Sequence, residues 1–563
     1  MIPRRLWAIP ALVLCLLVGP APATAQDPAN EPPFGGEAIP RSMVPPSADE
    51  PPPGFRLTAD DAIAIGDGTG EVEDHSGGQL APRARTRGET WEVSYLRGDE
   101  VRVLVVIDDR TGDVIDVFTG EQIDTKLARG YEGAVAGDVN KWWLWLPLCV
   151  LFLIPFVDPR RPLRLVHLDL LALLGFSASL FFFNRAEITA SVVLVYPVLA
   201  YVFVRMLIAG FRPSESRERL LPVISPRWLV AGTVALAALH AAFTVTGAKV
   251  IDVGLAGVIG ADRLVDGEDV YSEDFAAGLP SSGDIRGDVY GPVNYLAYVP
   301  FEQAFPYDDI WDDLPAARAA ALAFDLLTAL ALFALGRGLR RGRDGAPTAE
   351  GRTLGIALAY AWLAYPFTLY TLGSSFNDSL VALLMVCCLL VLASPPARGV
   401  MAALAGLTKF GPLALAPLLA AGTGERGERH PLSLAAFAIF FALTAAIVTL
   451  PLLPDGGPQE LYDRSLGYQA SRGSPFSVWG QAPSLEWLQT ATKVLAVGIA
   501  LAVFFVPRRR TPIQVAALAA VVVIAIQVTA NHWFYPYAVW FAPFVLIASF
   551  ASQRGPEAGA RTS

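Results

Sequence analysis

Charged side chains are scarce in this chain. Only 17% of its 563 residues are Asp, Glu, Lys or Arg, whereas 53% are hydrophobic. This balance is too apolar for an ordinary soluble enzyme. The formal net charge is -10, but the acids concentrate in the N-terminal part and the long loops. No basic stripe is present, so the sequence gives no indication of nucleic-acid binding.

Cysteine is also rare. Of the four cysteines, Cys15 lies near the N-terminus, and Cys149, Cys387 and Cys388 lie inside apolar runs. Cysteines placed in this way do not form a disulfide framework. They give no better support for a cysteine-ligated metal. Chemistry must therefore be sought in other side chains.

The N-terminus resembles an export signal. Arg4 and Arg5 precede a short apolar core, and Ala23-Thr24-Ala25 offers a small-residue cleavage site. We predict a cleaved signal peptide, because the core is shorter than a normal span. An uncleaved anchor helix is the alternative. The following proline-rich stretch, 26–54, is typical of an extended exported linker.

Residues 55–138 are predicted to form a small soluble α+β domain. The segment 57–66 is a plausible short helix, and 91–98, 100–108 and 113–120 alternate as strands do. Asp109-Arg110-Thr111-Gly112 supplies a turn between the last two. This segment loosely resembles a PepSY-type module, which implies a regulatory or binding unit and no chemistry.

Apolar runs close to the roughly 20 residues that a bilayer-spanning helix requires fill the rest of the chain. We predict a mainly α, polytopic membrane helical bundle of about eleven spans. The predicted spans are 142–157, 164–183, 188–210, 228–247, 315–336, 354–372, 377–394, 432–453, 488–506, 512–530 and 533–552.

Arginines in short loops predict the orientation of these spans, because cytoplasmic loops carry the excess of Lys and Arg. With the N-terminal domain outside, the first, third and fifth spans end inside. The arginines at those ends are Arg160, Arg161 and Arg164; Arg212, Arg217 and Arg219; and Arg337, Arg340, Arg341 and Arg343. The loop that begins near Asp252 is then outside.

The segment 398–421 decides the sidedness of everything after it. A single crossing would put Arg508-Arg509-Arg510 outside, against the arginine rule. A re-entrant hairpin broken at 408–412 keeps that run and the basic stretch 424–430 inside. Gly411 and Pro412 are good helix breakers, and broken helices are tolerated where they line a polar cavity. We predict the hairpin, with 454–486 and Asn531-His532 outside.

The predicted organisation follows from these observations. It comprises a signal peptide at 1–25, a linker at 26–54, the soluble domain at 55–138, three additional spans at 139–227, a membrane module at 228–553 and a cytoplasmic tail at 554–563.

Asp252 stands at the mouth of this bundle, a few residues after a span. Ionisable groups at such positions are costly and usually face a cavity or a partner. A bland alternative is an acid that caps the following helix. The segment after it, 253–267, is amphipathic enough to lie along the membrane interface.

The order of motifs from Asp252 onward resembles that of GT-C-fold glycosyltransferases of family 87, which use polyprenol-phosphate-mannose. The motifs are Asp252 after the span 228–247, Gly267 to Tyr271, GDVYGPVNY at 287–295, Asn377-Asp378, GLTKFGPLALAP at 406–417 and HWFYPYAVWFAP at 532–543. The resemblance covers 228–552. It implies a GT-C-like fold, an external active site and Asp252 as the catalytic base.

Cations or hydrogen-bond donors must then bind the departing phosphate. Lys409 at the hairpin break, Arg472 and His532 are the candidates. Each has an alternative. Lys409 either snorkels or neutralises an acid such as Asp378, Arg472 is an ordinary loop residue, and His532 belongs to an aromatic interface belt.

Other polar residues are candidates for binding the acceptor or for structural roles. Asp378 and Asn377 either bind acceptor hydroxyls or cap the helix that begins there. Asp288 is interpreted as structural, and Tyr290 either stacks on a sugar or prenyl chain or anchors the interface. Asp325 is expected to be paired inside the bundle. His167 and Asp169 are excluded because they lie near the inner face.

No D-x-D carboxylate pair lies beside Asp252, since Glu268 and Asp269 are adjacent. Divalent cations need several oxygen ligands, so we expect no metal and no other cofactor. The sequence thus predicts an inverting plasma-membrane glycosyltransferase. It would pass a sugar, mannose by resemblance, from a polyprenyl phosphate to a lipid, glycan or protein hydroxyl. A lipid-linked-sugar transporter or a non-catalytic scaffold is the rival, although no clear repeat indicates a transporter.

Overall fold

The structure is a computed structural model. The residues it describes are 42–45, 47–75, 80–87, 89–97, 100–119, 135–185, 187–212, 222–272, 275, 287–308, 314–341, 345–424, 429–471 and 474–553. The predicted signal peptide, most of the linker, Arg472 and the tail at 554–563 lie outside these residues.

The N-terminal domain is a five-stranded antiparallel sheet with strands in sequence order. Its strands are β1 (Ser42–Met43), β2 (Ala81–Arg87), β3 (Thr90–Arg97), β4 (Glu100–Asp108) and β5 (Val114–Thr119). Its helices are α1 (Ala59–Asp67) and α2 (Gly70–His75). The predicted helix and the three predicted strands are confirmed. β1, β2 and α2 were not predicted.

Asp109 fixes the helix side of this domain to the sheet. Its buried carboxylate accepts hydrogen bonds from Trp91 Nε1 at 3.0 Å and from the backbone N–H groups of Arg56 and Leu57 at 2.7 and 3.0 Å. The turn that follows is closed by Asp108, whose side chain accepts the N–H groups of Arg110 and Thr111. The predicted 109–112 turn is therefore present, with Asp109 serving as the buried anchor.

The remaining described chain is almost entirely helical. Its first helices are α3 (Trp142–Leu153), α4 (Leu165–Phe183), α5 (Ile188–Phe211), α6 (Pro226–Thr246), α7 (Asp252–Asp266), α8 (Pro292–Glu302), α9 (Pro315–Leu339), α10 (Ala349–Ala364), α11 (Pro366–Gly373) and α12 (Asp378–Leu390). Its later helices are α13 (Pro395–Gly406), α14 (Ala416–Ala421), α15 (Pro431–Thr449), α16 (Gly457–Tyr462), α17 (Tyr468–Ser471), α18 (Val478–Gln481), α19 (Glu486–Phe505), α20 (Pro512–Thr529) and α21 (Ala538–Ala551).

Short turns of other helix types connect some of these elements. Turns of 3-10 helix occur at Gly137–Asn140, Gly411–Leu415, Leu450–Leu452, Pro483–Leu485 and Tyr535–Tyr537, and a π-helical turn occurs at Asp463–Gly467.

Every predicted span contains at least one of these helices. Within the described part of the chain, seven are long and apolar enough to cross a membrane: α4, α5, α6, α9, α15, α19 and α20. The predicted span 354–372 is divided into α10 and α11 at Tyr365-Pro366. A residue before proline is driven out of the helical region, and Tyr365 has extended backbone angles. A mainly helical, multi-pass membrane fold with a small N-terminal sheet is thus confirmed.

Two of the arginines predicted to lie inside, Arg164 and Arg340, meet the same end of α21. Arg164, before α4, donates to Gln553 Oε1 at 2.9 Å. Arg340, after α9, donates to the carbonyls of Ala551 and Gln553 at the end of α21. A cation at a helix C-terminus satisfies its unpaired carbonyls and opposes its dipole.

The segment 398–421 folds as two packed arms. α13 and α14 contact one another, and a Cβ on Gly406 would lie 2.2 Å from the side chain of Leu413. The chain reverses between these two residues. Beyond the hairpin, Thr423 O accepts a hydrogen bond from Arg510 N at 2.9 Å. Thr423, just before the basic stretch 424–430, and Arg510, at the end of the basic run 508–510, therefore lie together.

The interior acid Asp325 is paired, as expected. Its Oδ2 lies 2.7 Å from His240 Nδ1, and its Oδ1 accepts from Trp362 Nε1 at 2.8 Å. His240 Nε2 lies 2.9 Å from Leu363 O. This contact requires a proton on Nε2, because a carbonyl only accepts. The pair joins α6, α9 and α10 inside the bundle.

Candidate active site

The segment 287–295 forms a firmly held turn before α8. Tyr295 OH donates to Gly287 O at 2.6 Å and accepts from Tyr290 N at 3.2 Å. Tyr271 OH donates to Tyr290 O at 2.9 Å. Burial, followed by the nearby Asp288 carboxylate, raises the pKa of Tyr271, so this phenol stays a donor. Two buried tyrosines thus fix the path of the GDVYGPVNY motif.

This turn docks on the break of the hairpin. Gly291 N donates to Thr408 O at 3.1 Å, and Val293 N donates to Leu407 O at 3.0 Å. These bonds pair the free N–H groups at the start of α8 with carbonyls released where α13 ends. A Cβ on Gly291 would lie 2.0 Å from Leu407 O. Only glycine fits at this approach.

Lys409 at the break forms an ion pair with Asp378. Its Nζ lies 3.0 Å from Asp378 Oδ1. The ammonium is also 5.5 to 5.7 Å from the ring centroids of Tyr290, Tyr537 and Trp540, within cation–π range. Of the two alternatives for Lys409, neutralisation of Asp378 is the one observed.

Asp378 and Asn377 do not cap α12. Trp540 Nε1 donates to Asp378 Oδ1 at 2.7 Å, while Asp378 Oδ2 is buried without a hydrogen-bond partner among the described residues. Asn377 Nδ2 donates to Asn294 Oδ1 at 2.7 Å. The capping alternative is therefore wrong, because the side chain at the N-cap position, Asn377, makes no capping hydrogen bond and the observed bonds of both side chains are tertiary.

Unsatisfied polar atoms concentrate around these residues. Besides Asp378 Oδ2, the buried atoms Asn377 Oδ1, Asn294 Nδ2 and Tyr298 OH have no hydrogen-bond partner in the described part of the chain. Buried polar groups are nearly always paired, and an unmade bond costs about 1–3 kcal/mol. Four such atoms in one neighbourhood indicate hydrogen-bonding capacity reserved for a ligand or bound water.

Asp252 is the first residue of α7 and is half-buried. The residue before it, Ile251, occupies the N-cap position, and Asp252 Oδ1 accepts from the adjacent Val253 N, at 2.9 Å, within its own helix. Asp252 therefore does not cap the helix in the manner expected of an N-cap acid. Gly254, two residues further along α7, abuts Ser375, since a Cβ there would lie 2.9 Å from Ser375 O.

Two further hydrogen bonds hold the segment just before Asp252 against residues 373–375, which precede α12. Lys249 N donates to Gly373 O at 3.0 Å, and Ser375 Oγ donates to Lys249 O at 3.0 Å. Ser375 has a φ of 50°, a left-handed conformation that is unusual for a non-glycine residue. Such strain is often found at functional sites. The segment before Asp252 therefore contacts Ser375, which stands two positions before Asn377 in the sequence.

Asp288 is held by an arginine from the 454–486 loop. Arg464 Nη1 lies 3.1 Å from Asp288 Oδ2, and Arg464 Nε donates to Glu460 Oε1 at 2.8 Å. The bond from Arg464, followed by that from Gly456 N–H, holds the pKa of Glu460 below its usual range. This contact ties two predicted external loops together, consistent with a structural Asp288.

His532 lies in an aromatic cluster beside the lysine. Its ring contacts those of Phe476, Phe534 and Tyr537, and Tyr537 is one of the rings around Lys409. His532 Nδ1 is 2.8 Å from Ser474 Oγ, which accepts from Phe476 N. The serine proton is thus available for Nδ1, which favours the ring tautomer protonated on Nε2. Both the donor role and the aromatic-belt role remain consistent with this position.

The structure thus brings Asp252, Asp288, Tyr290, Asn377, Asp378, Lys409 and His532 to one end of the bundle. Arg472 lies outside the described residues. Sequence reasoning missed Arg464, Asn294, Tyr537 and Trp540. The last two stand in the quoted motif HWFYPYAVWFAP, where their aromatic character was visible but their lysine partner was not. No group of three His, Cys, Asp or Glu side chains that could hold a metal occurs in the part of the chain that the structure describes.

Comparison with known families identifies the region that contains this geometry. Residues 289–551, slightly less than half of the chain, match the model of glycosyltransferase family 87. The match confirms the resemblance drawn from the sequence and indicates a membrane glycosyltransferase. It includes Tyr290, Asp378, Lys409 and His532 but begins after Asp252. The N-terminal resemblance to a PepSY module is not confirmed. No curated protein and no solved structure matches the chain.

Proposed function

From the match of residues 289–551 to glycosyltransferase family 87, we propose that this protein transfers a sugar from a polyprenyl phosphate to a hydroxyl acceptor at the extracytoplasmic face. The observation that carries the proposal is the Lys409–Asp378 pair at the hairpin break. Together with the aromatic side chains around the lysine, it joins four separated parts of the matched region. The donor sugar is mannose by resemblance.

The proposed reaction is a single displacement. The acceptor oxygen attacks the anomeric carbon as the bond from that carbon to the phosphate oxygen breaks, and the polyprenyl phosphate leaves with the electron pair. Asp252 takes the acceptor proton as general base. Attack opposite to the leaving group inverts the anomeric centre. Asp252 is half-buried beside the approach to α12, which suits a base that must meet a bulky acceptor.

The departing phosphate gains negative charge and needs positive groups preorganised around it. Lys409 has three N–H donors, of which Asp378 takes one. Its side chain keeps 13% of its surface accessible, while that of Asp378 is 1% accessible. In our proposal Asp378 and Trp540 position the lysine, and the remaining donors bind phosphate oxygens. His532, across the Tyr537 ring, would be a second donor, and Arg472 a third.

The sugar or acceptor hydroxyls would be bound on the other side of the lysine. Asn294, Asn377 and Asp378 offer both donors and acceptors that the described protein leaves unused. Hydroxyl groups, each a donor and an acceptor, match such a mixed set. Tyr290, whose ring flanks Lys409, would pack against the sugar face or the first prenyl units. No step in this proposal requires a metal or another cofactor.

Localisation follows from the arginine pattern. We assign the active site and the N-terminal domain to the outer face of the plasma membrane, and the C-terminus to the cytoplasm. On that face the N-terminal domain would recruit the acceptor or regulate the transferase.

Transfer by the purified full-length protein tests the proposal. The protein is incubated with radiolabelled polyprenyl-phosphate-mannose and a cell-envelope lipid extract, as wild type, Asp252→Asn and Asp266→Asn. Asp266 is the matched control, because it is an exposed acid at the last position of the same helix. We expect Asp252→Asn to lower the rate by roughly 100-fold or more, the range of general-base catalysis, and Asp266→Asn to leave it unchanged.

Two outcomes contradict parts of the proposal separately. Equal transfer by wild type and Asp252→Asn removes Asp252 as the base but leaves the transferase assignment standing. Absence of transfer from every polyprenyl-phosphate sugar tried overturns the proposed activity. The transporter or scaffold alternative then takes its place.

A further inference from the structure

A basic cavity lies at the opposite end of the bundle from the candidate active site. Its volume is about 490 Å³, within the range of small-molecule sites. The polar residues that line it are Arg161, Arg164, Arg205, Ser549, Ser552 and Gln553. Among the residues that the structure describes, no acidic side chain lines it. Trp540 in the active site and Gln553 in the cavity belong to one continuous stretch of chain, so roughly 20 Å of helix separates them.

The wall of the cavity is built around a buried acid. Asp169 Oδ1 lies 3.1 Å from Arg205 Nε and accepts from Tyr201 OH at 2.9 Å, while its Oδ2 accepts from Ser549 Oγ at 2.9 Å. Asp169 therefore engages Arg205 through Nε, and Arg205 also lines the cavity. A guanidinium carries five N–H donors in a planar fork that matches phosphate oxygens. His167 has a separate role, because its ring bonds Asp158 N and Pro162 O.

The rim of the cavity is apolar and open. Leu163 is 96% exposed and Leu165 is 61% exposed, directly beside Arg164. Further exposed leucines, Leu168 and Leu171, continue along α4. Arginines next to exposed leucines at a helix end mark the depth of lipid headgroups, where the charge meets phosphate and the leucines meet acyl chains. A soluble anion has no apolar part that would contact these leucines.

We propose that this cavity binds an anionic phospholipid. Its phosphate would contact Arg161, Arg164 and Arg205, its headgroup hydroxyls would bond Ser552 and Gln553, and its acyl chains would lie over Leu163 and Leu165. The site is independent of the proposed transferase reaction. It would tie together α4, α5 and α21, whose ends line it.

Lipid retention by the full-length protein tests this site. Purified protein is exchanged into mixed micelles containing phosphatidylglycerol and phosphatidylcholine of equal chain length, and bound lipid is counted by native mass spectrometry. The variants are Arg161→Gln, Arg205→Lys and Arg160→Gln. Arg160 is the matched control, since it is an exposed arginine of the same loop that does not line the cavity. Arg205→Lys keeps the charge beside Asp169 but loses the planar fork.

We expect the wild type and Arg160→Gln to retain phosphatidylglycerol in preference to phosphatidylcholine. Arg161→Gln should weaken that preference about fivefold, the contribution of one basic residue near an anionic membrane surface. Arg205→Lys should weaken it without lowering the thermal stability of the lipid-free protein.

Three results overturn the proposal. One is equal retention of the two lipids by the wild type. The second is equal loss in Arg160→Gln and Arg161→Gln, which reveals general surface charge. The third is full displacement of phosphatidylglycerol by inorganic phosphate, which shows a site for a free anion.

Discussion

Lys409 Nζ lies 3.0 Å from Asp378 Oδ1, joining the hairpin break to the first residue of α12. Lysine and aspartate are 31 positions apart in sequence. The aromatic rings around the lysine come from two further segments, so four parts of the chain meet at this one contact.

Removing one member of this pair leaves an uncompensated charge in a largely buried place. We expect Asp378→Asn or Lys409→Met alone to lower the free energy of unfolding by about 3 kcal/mol. The double variant should recover much of that loss, because neither charge is left behind. Thermal unfolding of the four proteins in detergent measures the cycle.

Measuring sugar transfer by the same four proteins separates a structural role of Lys409 from a chemical one. If Lys409 binds the phosphate, the double variant stays inactive although its stability returns. Restored activity in the double variant would assign the lysine to structure alone.

Gly291→Ala should break the docking of the α8 turn on the hairpin. The added Cβ would meet Leu407 O at 2.0 Å, and backbone atoms cannot rotate away as a side chain can. We expect a loss of about 2–3 kcal/mol in the free energy of unfolding together with a strong loss of transfer. Gly498→Ala is the control. Its Cβ meets nothing within 4 Å, so its helix should gain up to about 1 kcal/mol. A stable, active Gly291→Ala would show that the turn is not held by this approach.

Arg464→Gln should release the external loop that carries α16 from the turn at Asp288. Hydrogen exchange of residues 457–467 and 287–291 should both accelerate, since one side chain binds both segments. Glu460→Gln removes only the ion pair between Arg464 and Glu460. It should accelerate hydrogen exchange in residues 457–467 alone. If the two variants changed the exchange of both segments equally, Arg464 would not be the side chain that links Asp288 to Glu460.

The same bridge has a defined pH dependence. The hydrogen bond from Arg464 lowers the pKa of Glu460. The stability that the ionised Glu460 contributes through this bond is therefore fully present above the usual glutamate pKa. It is lost as the pH falls through the lowered pKa. In Arg464→Gln that pKa should rise towards the usual range. Exchange of residues 457–467, corrected for intrinsic rates, should then increase at a higher pH than in the wild type.

Asp109→Ala should loosen the N-terminal domain without touching the bundle. It orphans the indole N–H of Trp91 and two backbone N–H groups, at a cost of about 2 kcal/mol in local stability. Amide exchange of β3 and β4 in the full-length chain measures this loss. Asp113→Ala, at an exposed position of the same hairpin, should leave it unchanged. If the two variants exchange alike, Asp109 is not the anchor.

Cysteine labelling checks the predicted sidedness. In a background without native cysteines, Arg472→Cys should react with a membrane-impermeant maleimide from outside, and Arg509→Cys only after permeabilisation. The re-entrant hairpin requires these opposite faces. Labelling of both from the same side would refute it.

Much of the fold was readable from local pattern. Apolar runs predict helices because a bilayer leaves no other way to satisfy the backbone, and every predicted span contains one. In the N-terminal domain, Val103, Val105 and Ile107 alternate along β4 and pack on α1, as a half-buried strand does. β2, with sequence APRARTR, carries no such alternation. Its strand state comes from pairing with β3, along the register from Ala81–Leu96 to Arg87–Thr90.

The chemistry of individual acids could not be read in this way. Asn377 and Asp378 stand where capping residues usually stand, and propensity alone favours that role. The structure instead assigns them to Asn294, Lys409 and Trp540. A cap requires only the local backbone, whereas these partners arrive from distant parts of the chain.

By itself the sequence predicted the helical membrane bundle, the helix and three strands of the N-terminal domain, and the resemblance of the membrane region to glycosyltransferase family 87. These predictions depend on hydrophobic length, on alternation and on motif order, all of which are local. Only the tertiary structure decided that Lys409 neutralises Asp378, that Arg464 secures Asp288 and that a basic cavity forms among α4, α5 and α21. Each of these depends on groups brought together by packing, where distances of 3 Å decide the interaction and sequence separation does not.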